Sequence, residues 1–364
     1  MSKKHDEREH TQLGTGYSDN LEPLTTLDLN KCNTVNDLVT AMKSTAFGGR
    51  SVGEAADALE KMTRDKDCFK VLTLSGAMTV AKMGLVVCDM IENGMVDAVI
   101  STGALMAHGF IESAGMKHFK YRQDMDDVAL YKKGYNRVYD TLEPETNFDA
   151  AYKIFRSQII DWDANEIACS YKINRKLGEY LHNNVKGRGI LKSAYEKNIP
   201  VYVPAFTDSE LGLDFATIRR ERKEKGQKDI TFDPFHDLED YVSHIIKAKE
   251  IGIFTIGGGV PRNWAQQVGP YVDLLEWRLG AENKKEMHEG TGHGKRFKYA
   301  VRICPEPIHF GGLSGCSYSE GVSWGKFVPV SEGGTQVEVL QDATVAWPLI
   351  VKAVLERLKK NPVK

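Results

Sequence analysis

The sequence has 364 residues, with 48 basic and 50 acidic side chains and a formal net charge of -2, and no basic block that would indicate a nucleic-acid-binding surface. Its longest apolar stretches, such as residues 84–88 and 345–351, are too short to span a bilayer, and residues 1–20 lack the apolar segment of a signal peptide. We therefore expect a cytoplasmic protein that binds neither nucleic acid nor a membrane.

The cysteine and histidine spacing predicts no metal centre. The six cysteines are scattered without a C-x-x-C pair, which favours reduced thiols over a zinc ribbon or a disulfide framework. His288 and His293 are separated by a segment that contains two glycines, and such a segment does not preset ligand geometry. A solvated loop is therefore favoured there over a metal site.

Residues 1–25 are polar, and we interpret them as a flexible arm ahead of a single domain over residues 26–364. Apolar residues at helical spacing predict helices over residues 34–42, 51–62, 78–93, 149–158, 166–183, 189–197, 236–249 and 343–359. Short apolar runs predict strands over residues 69–74, 96–100, 201–206, 251–256 and 336–340. We expect residues 121–149 to form a long irregular connection and residues 270–297 to be an insertion.

The order of elements over residues 69–100 is typical of an α/β protein. A strand, a turn of small residues, a helix and a second strand follow one another, as in a parallel sheet. We predict a Rossmann-like, mainly parallel sheet flanked by helices. In such sheets ligands bind outside the carboxyl ends of the strands, where Ser75 and Thr102 would lie side by side.

Three glycines at residues 257–259 follow the clearest buried strand of the chain. Glycines allow backbone amides to approach a ligand closely, and Pro261 suits the first position of a helix whose N-terminus would attract phosphate. The spacing is not G-x-G-x-x-G, however. The segment therefore fits a pyrophosphate-binding turn and equally fits a tight turn without a ligand.

Lys326 ends an apolar and aromatic run beside Trp324, although lysine normally lies on solvated surface. The glycine-rich residues 310–315 precede this run, and a predicted strand follows it. From the residues alone, two interpretations stay open. Lys326 is either a reactive lysine held between two loops or a lysine at a strand end whose ammonium reaches water.

Four motifs in matching order make the chain resemble the deoxyhypusine synthase family. They are Val-Ser-Trp-Gly-Lys at residues 322–326, Gly-Gly-Gly-Val at 257–260, Thr-Asp at 207–208 and Gln-Asp-Ala at 341–343. The resemblance covers roughly residues 35–360. Residues 101–104 with His108, and Gly-Tyr-Asn-Arg-Val-Tyr-Asp-Thr-Leu at 134–142, are most similar to the bacterial deoxyhypusine synthase-like branch.

The resemblance implies an NAD-dependent transfer of a 4-aminobutyl group from a polyamine, spermidine or putrescine, to an acceptor amine. It implies that Lys326 holds the group as an imine before the group passes to a small amine, as in homospermidine formation, or to a protein lysine. It also implies a homotetramer with active sites shared across a dimer interface. Two alternatives stay open: an NAD-dependent amine oxidoreductase, or a non-catalytic protein that binds NAD or a polyamine.

The same matching assigns individual site residues. The NAD-binding positions are Ser75, Thr79, Thr102, Gly103, Ala104, Asp208, Gly257, Gly258, Gly259, Asp342 and Ala343. The substrate-binding candidates are Glu320, Trp324, Asn263, Glu210 and Asp214. Lys326 and His108 are the catalytic candidates. Glu320 is alternatively an ordinary helix-end or loop carboxylate, and His108 is alternatively a hydrogen-bonded residue without a catalytic role.

Several positions depart from the eukaryotic pattern. Ala107 and His108 stand where eukaryotic members have two acids, and Asn263 stands where they have a histidine. Leu213 replaces an aspartate, and Leu313 replaces a further acid. Glu210 and Asp214 supply acids near one of these positions. The cofactor positions and the lysine are thus kept, while the polyamine-contacting set is altered. The sequence leaves the donor and the acceptor open.

Overall fold

The computed structural model describes residues 13–279 and 295–361. His288, His293 and most of the insertion predicted at residues 270–297 lie outside these ranges, as does the first half of the predicted arm. Residues 268–279 of that region form a helix and residues from 297 form a strand, so the parts of the predicted insertion that are described belong to regular elements.

Helices and strands alternate along the described chain. The strands are β1 Cys68–Leu74, β2 Ala98–Ser101, β3 Phe119–Lys120, β4 Tyr135–Val138, β5 Thr141–Pro144, β6 Val201–Tyr202, β7 Glu250–Ile256, β8 Phe297–Ile303 and β9 Thr335–Val339. The helices are α1 Val35–Lys43, α2 Phe47–Arg64, α3 Gly84–Glu92, α4 Gly103–Ser113, α5 Asp127–Lys132, α6 Glu145–Ile159, α7 Ser170–Asn184, α8 Ile190–Glu196, α9 Glu210–Glu224, α10 Phe235–Lys247, α11 Gly259–Gln266, α12 Val268–Leu279, α13 Tyr318–Val322 and α14 Ala343–Lys360.

The main sheet has the strand order β6-β2-β1-β7-β8-β9 among the described residues, and its neighbouring strands are all parallel. This arrangement confirms the predicted α/β fold with a parallel sheet flanked by helices. The chain moves from β1 towards one edge and later returns to the other side of β1 with β7. The crevice between the carboxyl ends of β1 and β7 is therefore the switch point at which open α/β sheets bind ligands.

The two faces of the sheet pack against different helices because side chains alternate along each strand. Leu72 and Val99 lie on the first face, in one hydrophobic cluster with residues of α2, α3, α4, α9 and α14. Val71 and Ile253 lie on the second face, with residues of α10, α11, α12 and α13. The two clusters place α4 and α11 on opposite sides of the sheet.

Five sequence-based expectations are wrong by four residues or more at one boundary. Two are the helices expected over residues 149–158 and 166–183, which span Glu145–Ile159 and Ser170–Asn184. The helix expected from residue 78 begins at Gly84, because residues 77–83 form turns after β1. The helix expected behind Ser51 begins at Phe47. The strand expected over residues 201–206 is only Val201–Tyr202, since the chain turns at Pro204.

The expectation of an irregular connection over residues 121–149 is also wrong. This segment contains α5, β4, β5 and the start of α6, and β3, β5 and β4 pair as a small antiparallel sheet. Its strands have few fully buried residues, and this weak apolar pattern explains why it reads as a connection. The small sheet matters for the site because β5 carries Glu143.

Two further expectations concern the whole chain. The six cysteines are all free, as their spacing predicts. Among the helices of residues 13–279 and 295–361, none has the length and apolarity needed to cross a bilayer.

Close contact between the first turns of α4 and α9 depends on glycine. A Cβ atom on Gly103 would overlap the side chain of Ser209, and a Cβ atom on Gly212 would overlap the carbonyl oxygen of Phe206. Gly103 lets the two helices begin side by side at the carboxyl edge of the sheet, and Gly212 lets the first turn of α9 pack against the chain that leads into it. This packing places His108 of α4 next to Glu210 of α9.

We expect Gly212→Ala to lower the free energy of unfolding by about 2–3 kcal/mol, because the new methyl group meets backbone that cannot rotate away. Gly187→Ala is the matched control, since a Cβ atom there would lie 3.9 Å from the nearest atom, the Val185 Cγ1. Urea unfolding of both variants measures the difference. Equal stability of the two variants would contradict the predicted close packing.

Candidate active site

The glycine turn, residues 257–259, lies at the switch point between β1 and β7. Gly257 and Gly259 have φ values of +79° and +61°, which favour glycine. A Cβ atom on Gly258 would overlap the carbonyl oxygen of Ser314. The Ser75 hydroxyl donates a hydrogen bond to the Gly258 carbonyl, which ties the end of β1 to this turn.

Two helix N-termini open towards this crevice. The helix α11 starts within the glycine turn at Gly259, and α4 starts at Gly103 after β2. Neither Gly258 nor Thr102 caps its helix through a side chain. Uncapped N–H groups at a helix N-terminus attract anions, so this part of the structure fits the pyrophosphate of a dinucleotide.

Two buried arginines hold the loop 312–316 over the glycine turn. Arg302 of β8 donates hydrogen bonds to the Gly257 carbonyl at 3.0 Å and to the Ser314 carbonyl at 3.2 Å. Arg262 of α11 donates to the Ser314 carbonyl at 3.4 Å and to the Cys316 carbonyl at 2.7 Å. Arg302 therefore joins the loop to the sheet, and Arg262 joins it to α11.

Lys326 is buried next to this arrangement, with 7% of its surface exposed. Its ammonium donates a hydrogen bond to Asn263 Oδ1 at 3.1 Å and lies 5.9 Å from the Trp324 ring centroid. The Lys326 backbone is fixed by hydrogen bonds with Gly321 and with Phe297 at the start of β8. Lys326 is thus held in place, and its ammonium does not lie at the protein surface.

The surroundings of Lys326 favour its neutral form. Burial is the largest cause that lowers its pKa, and the nearby Cys316 opposes this shift while the Arg262 guanidinium adds to it. A neutral lysine amine is a nucleophile, whereas an ammonium is not. Of the two interpretations left open by the sequence, the geometry favours a reactive lysine.

A cleft of about 350 Å³ opens beside Lys326, between α11 and the loop 312–316. Val260, Asn263 and Leu313 line it, together with the backbone of the loop. Asn263 therefore faces both the cleft and the Lys326 ammonium. Trp324 is 64% exposed and leaves much of its ring available to a ligand.

A second group of chemically active side chains lies on the first face of the sheet. We call this group the imidazole cluster; it consists of His108, His118 and Glu143. Their ligand atoms lie within 4.8 Å of one another, a spacing that could hold a metal ion. Glu143 Oε2 lies 2.5 Å from His108 Nδ1 and 3.1 Å from His118 Nε2. Burial alone would raise the pKa of Glu143, but the hydrogen bonds from His108 and then His118 outweigh burial and lower the pKa to about 2.

Two acidic side chains of α9 complete this region. Glu210 Oε1 lies 3.9 Å from His108 Nε2, and the buried Glu210 Oε2 has no hydrogen-bond partner among the described residues. Burial, followed by the negative charge of Glu210, raises the pKa of Asp214 to about 6. Within residues 13–279 and 295–361, acceptor atoms thus converge here with no cation bonded to Glu210 or Asp214, as a site for an amine requires.

The structure brings most of the predicted site residues into these two regions. Ser75, Thr102, Gly103, Ala104 and residues 257–259 lie at the carboxyl edge of the sheet, and Asn263, Trp324 and Lys326 lie together on the second face. His108, Glu210 and Asp214 form the region on the first face. Asp208 is exposed in the turn before α9.

The predicted residues Thr79, Glu320, Asp342 and Ala343 lie apart from these contacts. Thr79 is buried and donates to the Leu105 carbonyl at 2.8 Å, which anchors α4. Glu320 is exposed on α13, and its carboxylate makes no hydrogen bond or ion pair within the described parts of the chain. Asp342 caps α14 by accepting from the Thr344 amide at 2.8 Å, with Ala343 as the first helical residue.

Pro261 is the third residue of α11 and does not take the predicted first position. Four residues of these sites are absent from the sequence-based assignment: Arg262, Arg302, His118 and Glu143. Arg262 directly follows the Gly-Gly-Gly-Val-Pro run, and Glu143 directly follows the segment 134–142. Their positions next to these motifs could have indicated a role in the site. Sequence spacing alone, however, does not predict that Glu143 lies close to His108.

Comparison with known proteins identifies related sequences over most of the chain. A family model described as deoxyhypusine synthase matches residues 37–354. "Probable deoxyhypusine synthase 2" from Methanosarcina acetivorans is 32% identical over 334 residues, which cover 90% of this chain and 88% of that protein. "Deoxyhypusine synthase-like protein" from Chlorobaculum tepidum is 32% identical over 335 residues, with the same coverage of both chains.

A solved structure supports the fold. The crystal structure of a protein described as a deoxyhypusine synthase from Entamoeba histolytica aligns with a TM-score of 0.57 at 17% sequence identity. The alignment covers 92% of this chain and 97% of that protein. At this identity the similarity concerns the fold alone.

We expect Asp214→Asn to stabilise the protein at about pH 8 relative to wild type and to have little effect at about pH 4. The pKa of Asp214 in the folded state is about 6, above its ordinary value of 3.8. The folded state therefore binds the proton more tightly, and wild type loses stability as the pH rises between these values. Melting temperatures of both proteins across this pH range measure the effect.

Asp229→Asn is a control with the opposite sign, because the hydrogen bond from Arg219 lowers the pKa of Asp229. That variant should become less stable than wild type as the pH rises. A stability difference for Asp214→Asn that does not change with pH would show that Asp214 keeps an ordinary pKa.

Proposed function

The chain belongs to the deoxyhypusine synthase family, and we propose that it transfers a 4-aminobutyl group from a polyamine to an acceptor amine through an imine on Lys326. Homologues in this family are transferases of aminobutyl groups. The observation that carries the proposal is the burial of Lys326, whose lowered pKa favours the neutral amine, beside a glycine turn suited to a dinucleotide. The reaction is proposed to take place in the cytoplasm.

Lys326 is the nucleophile of the proposed reaction. Its neutral Nζ would bond to the carbon of the donor imine and displace the departing amine, so that one C–N bond forms and another breaks. The departing nitrogen takes up the proton that Nζ loses. Asn263 would orient the reacting amine, because its Oδ1 already accepts a hydrogen bond from Lys326 Nζ.

NAD is the proposed cofactor. The residues at the carboxyl edge of the sheet that would hold it are Ser75, Thr102, Gly103, Ala104, Gly257, Gly258 and Gly259. The family resemblance also assigns Thr79, Asp208, Asp342 and Ala343 to NAD, although Thr79, Asp342 and Ala343 lie apart from the contacts described above. When bound, NAD would supply the oxidation of the donor carbon next to the amine and the later reduction of the product imine. The two helix N-termini at this edge, which have no side-chain caps, support this fit because their N–H groups attract phosphate.

The polyamine would be held by aromatic and acidic groups. Trp324 can cover a cationic amine with its exposed ring, and Glu320 would bind an amine with its free carboxylate. Glu210 and Asp214 would bind a second amine on the first face. We propose spermidine or putrescine as donor, and either a small amine such as putrescine, which would give homospermidine, or a protein lysine as acceptor.

A homotetramer with shared active sites is part of the proposal. Lys326 lies with the hydrophobic cluster of the second face, whereas α4 and its His108 lie with that of the first face. One polyamine that contacts both regions in a single chain would have to pass over the sheet edge. A site formed between two subunits removes this difficulty, because Lys326 of one subunit can face His108 of another.

We expect intact and peptide mass spectrometry, after borohydride reduction with NAD and spermidine, to find a four-carbon amine adduct on Lys326. Lys326→Arg should give no adduct, because a guanidinium does not form the imine. Lys295→Arg is the matched control, since Lys295 is also buried with a lowered pKa but donates to the carbonyls of Ile246 and Ala248.

An adduct that persists in Lys326→Arg would refute the assignment of the nucleophile. Accumulation of NADH without any adduct in wild type would instead support an amine oxidoreductase. Binding of NAD without turnover, unchanged in Lys326→Arg, would support a non-catalytic binding protein.

We expect subunit mixing to restore activity between Lys326→Ala and His108→Gln. Each variant alone has one defect in every site, but a mixed dimer has one site with both intact residues. Random mixing should therefore recover about a quarter of wild-type activity. Co-expression with two affinity tags, followed by activity and sedimentation measurements, tests this outcome. Inactive mixed oligomers would show that both residues come from one chain.

A further inference from the structure

His108 has a different partner on each side of its imidazole ring. Its side chain is buried, with Nδ1 at 2.5 Å from Glu143 Oε2 and Nε2 at 3.9 Å from Glu210 Oε1. Glu143, whose pKa is about 2, is ionised at neutral pH and can only accept hydrogen bonds. In the neutral ring the proton of His108 is therefore on Nδ1, and Nε2 has a free lone pair directed towards Glu210.

The contacts of His118 fix the opposite tautomer, with the proton on Nε2. Its Nδ1 lies 2.7 Å from the Lys82 ammonium, which can only donate, so His118 Nδ1 accepts and Nε2 carries the proton. That proton is donated to Glu143 Oε2 at 3.1 Å. Lys82 also pairs with Glu112 at 3.2 Å. The contacts from Lys82 through His118 to Glu143 thus determine which atom donates and which accepts in each hydrogen bond, as far as the bond between Glu143 and His108.

These contacts argue against a metal ion in the imidazole cluster. A metal on His118 Nε2 would require Nδ1 to carry the proton and donate it to an acceptor. The neighbour of Nδ1 is the Lys82 ammonium, which is itself a donor. The hydrogen-bonded arrangement gives a partner to Glu143 and to both ring nitrogens of His118, whereas a metal would place two donors against each other.

We propose that His108 Nε2 is the base that takes a proton from the primary ammonium of the acceptor, and that Glu143 and His118 are positioning residues that hold His108 in this tautomer. The ammonium would lie between His108 and Glu210. Because Nε2 and Oε1 are 3.9 Å apart, they do not bond directly, and a nitrogen beside them can contact both. This proposal rests on the proposed function.

The reaction balances without an added oxidant or reductant. The acceptor ammonium gives one proton to His108 Nε2, and its nitrogen then bonds to the imine carbon of the Lys326 adduct. The C–N bond to Lys326 breaks as Nζ takes up one proton. Lys326 returns to the neutral amine, and the acceptor leaves as a protonated imine.

The test compares two acceptors whose nitrogen differs in protonation. Putrescine is an ammonium at neutral pH and needs a base, whereas methoxyamine is largely neutral and does not. The Lys326 adduct is formed with NAD and spermidine, and transfer to each acceptor is followed by mass spectrometry. We expect His108→Gln and Glu143→Gln to slow transfer to putrescine on the order of 10²-fold and to leave transfer to methoxyamine nearly unchanged.

Glu196→Gln is the matched control, because Glu196 pairs with His182 Nδ1 at 2.9 Å in an exposed Glu–His pair. It should leave both transfers unchanged. An equal loss with both acceptors in His108→Gln and Glu143→Gln would show a structural role and overturn the proposal, as would no loss with putrescine. No Lys326 adduct in wild type would instead refute the proposed function, on which this proposal depends.

A second measurement reads the tautomer directly. Nitrogen-15 NMR of histidine-labelled protein should show a protonated Nδ1 and a bare Nε2 for the signal that is lost in His108→Gln. The opposite tautomer in wild type would overturn the proposal. Stoichiometric zinc in the purified protein that is lost in His118→Ala would also overturn it, because a metal would then occupy the imidazole cluster.

Discussion

The arrangement of this site depends on two buried guanidinium groups. Arg262 and Arg302 both donate to the carbonyl oxygen of Ser314, and each also binds a second carbonyl nearby. Burying such a charge is costly unless its donors find acceptors, and the loop 312–316 supplies carbonyl oxygens to both arginines, although Arg262 Nε has no hydrogen-bond partner among the described residues. Because Arg262 also lies close enough to lower the pKa of Lys326, one side chain both shapes the cleft and adds to the effect of burial, which favours the neutral form of the lysine.

The parallel sheet explains why these groups converge. Parallel strands end at one edge, and the change of direction at β1 and β7 leaves a crevice there. The turns after β1, β2 and β7 contribute Ser75, Thr102 and Gly258 to this edge. Helices on opposite faces then carry different chemistry, with His108 on α4 and Asn263 on α11. The fold therefore separates the region around Lys326 from the region around His108 and Glu210.

The sequence allowed much of the fold and of the lysine site to be predicted, because both leave local signals. Buried strands such as Cys68–Leu74 are continuous apolar runs, and the Val-Ser-Trp-Gly-Lys motif directs attention to Lys326. The imidazole cluster left no such signal. His108, His118 and Glu143 are spread over three elements, and the small sheet that carries Glu143 has too weak an apolar pattern to be predicted as strands.

The imidazole cluster gives the region around His108 a potential base, which a pocket lined by carboxylates alone does not have. Where eukaryotic members of the family carry acids, this chain has Ala107 and His108, so an acceptor-only group is replaced by a ring with one donor and one acceptor. Such a ring is useful as a base only if its tautomer is fixed, and an ionised Glu143 fixes it. Carboxylates alone can hold an ammonium but are weak bases towards it, whereas an imidazole with a bare Nε2 can remove its proton. Replacing an acid by His108 and supporting it with Glu143 would therefore shift this region from holding an amine towards activating one.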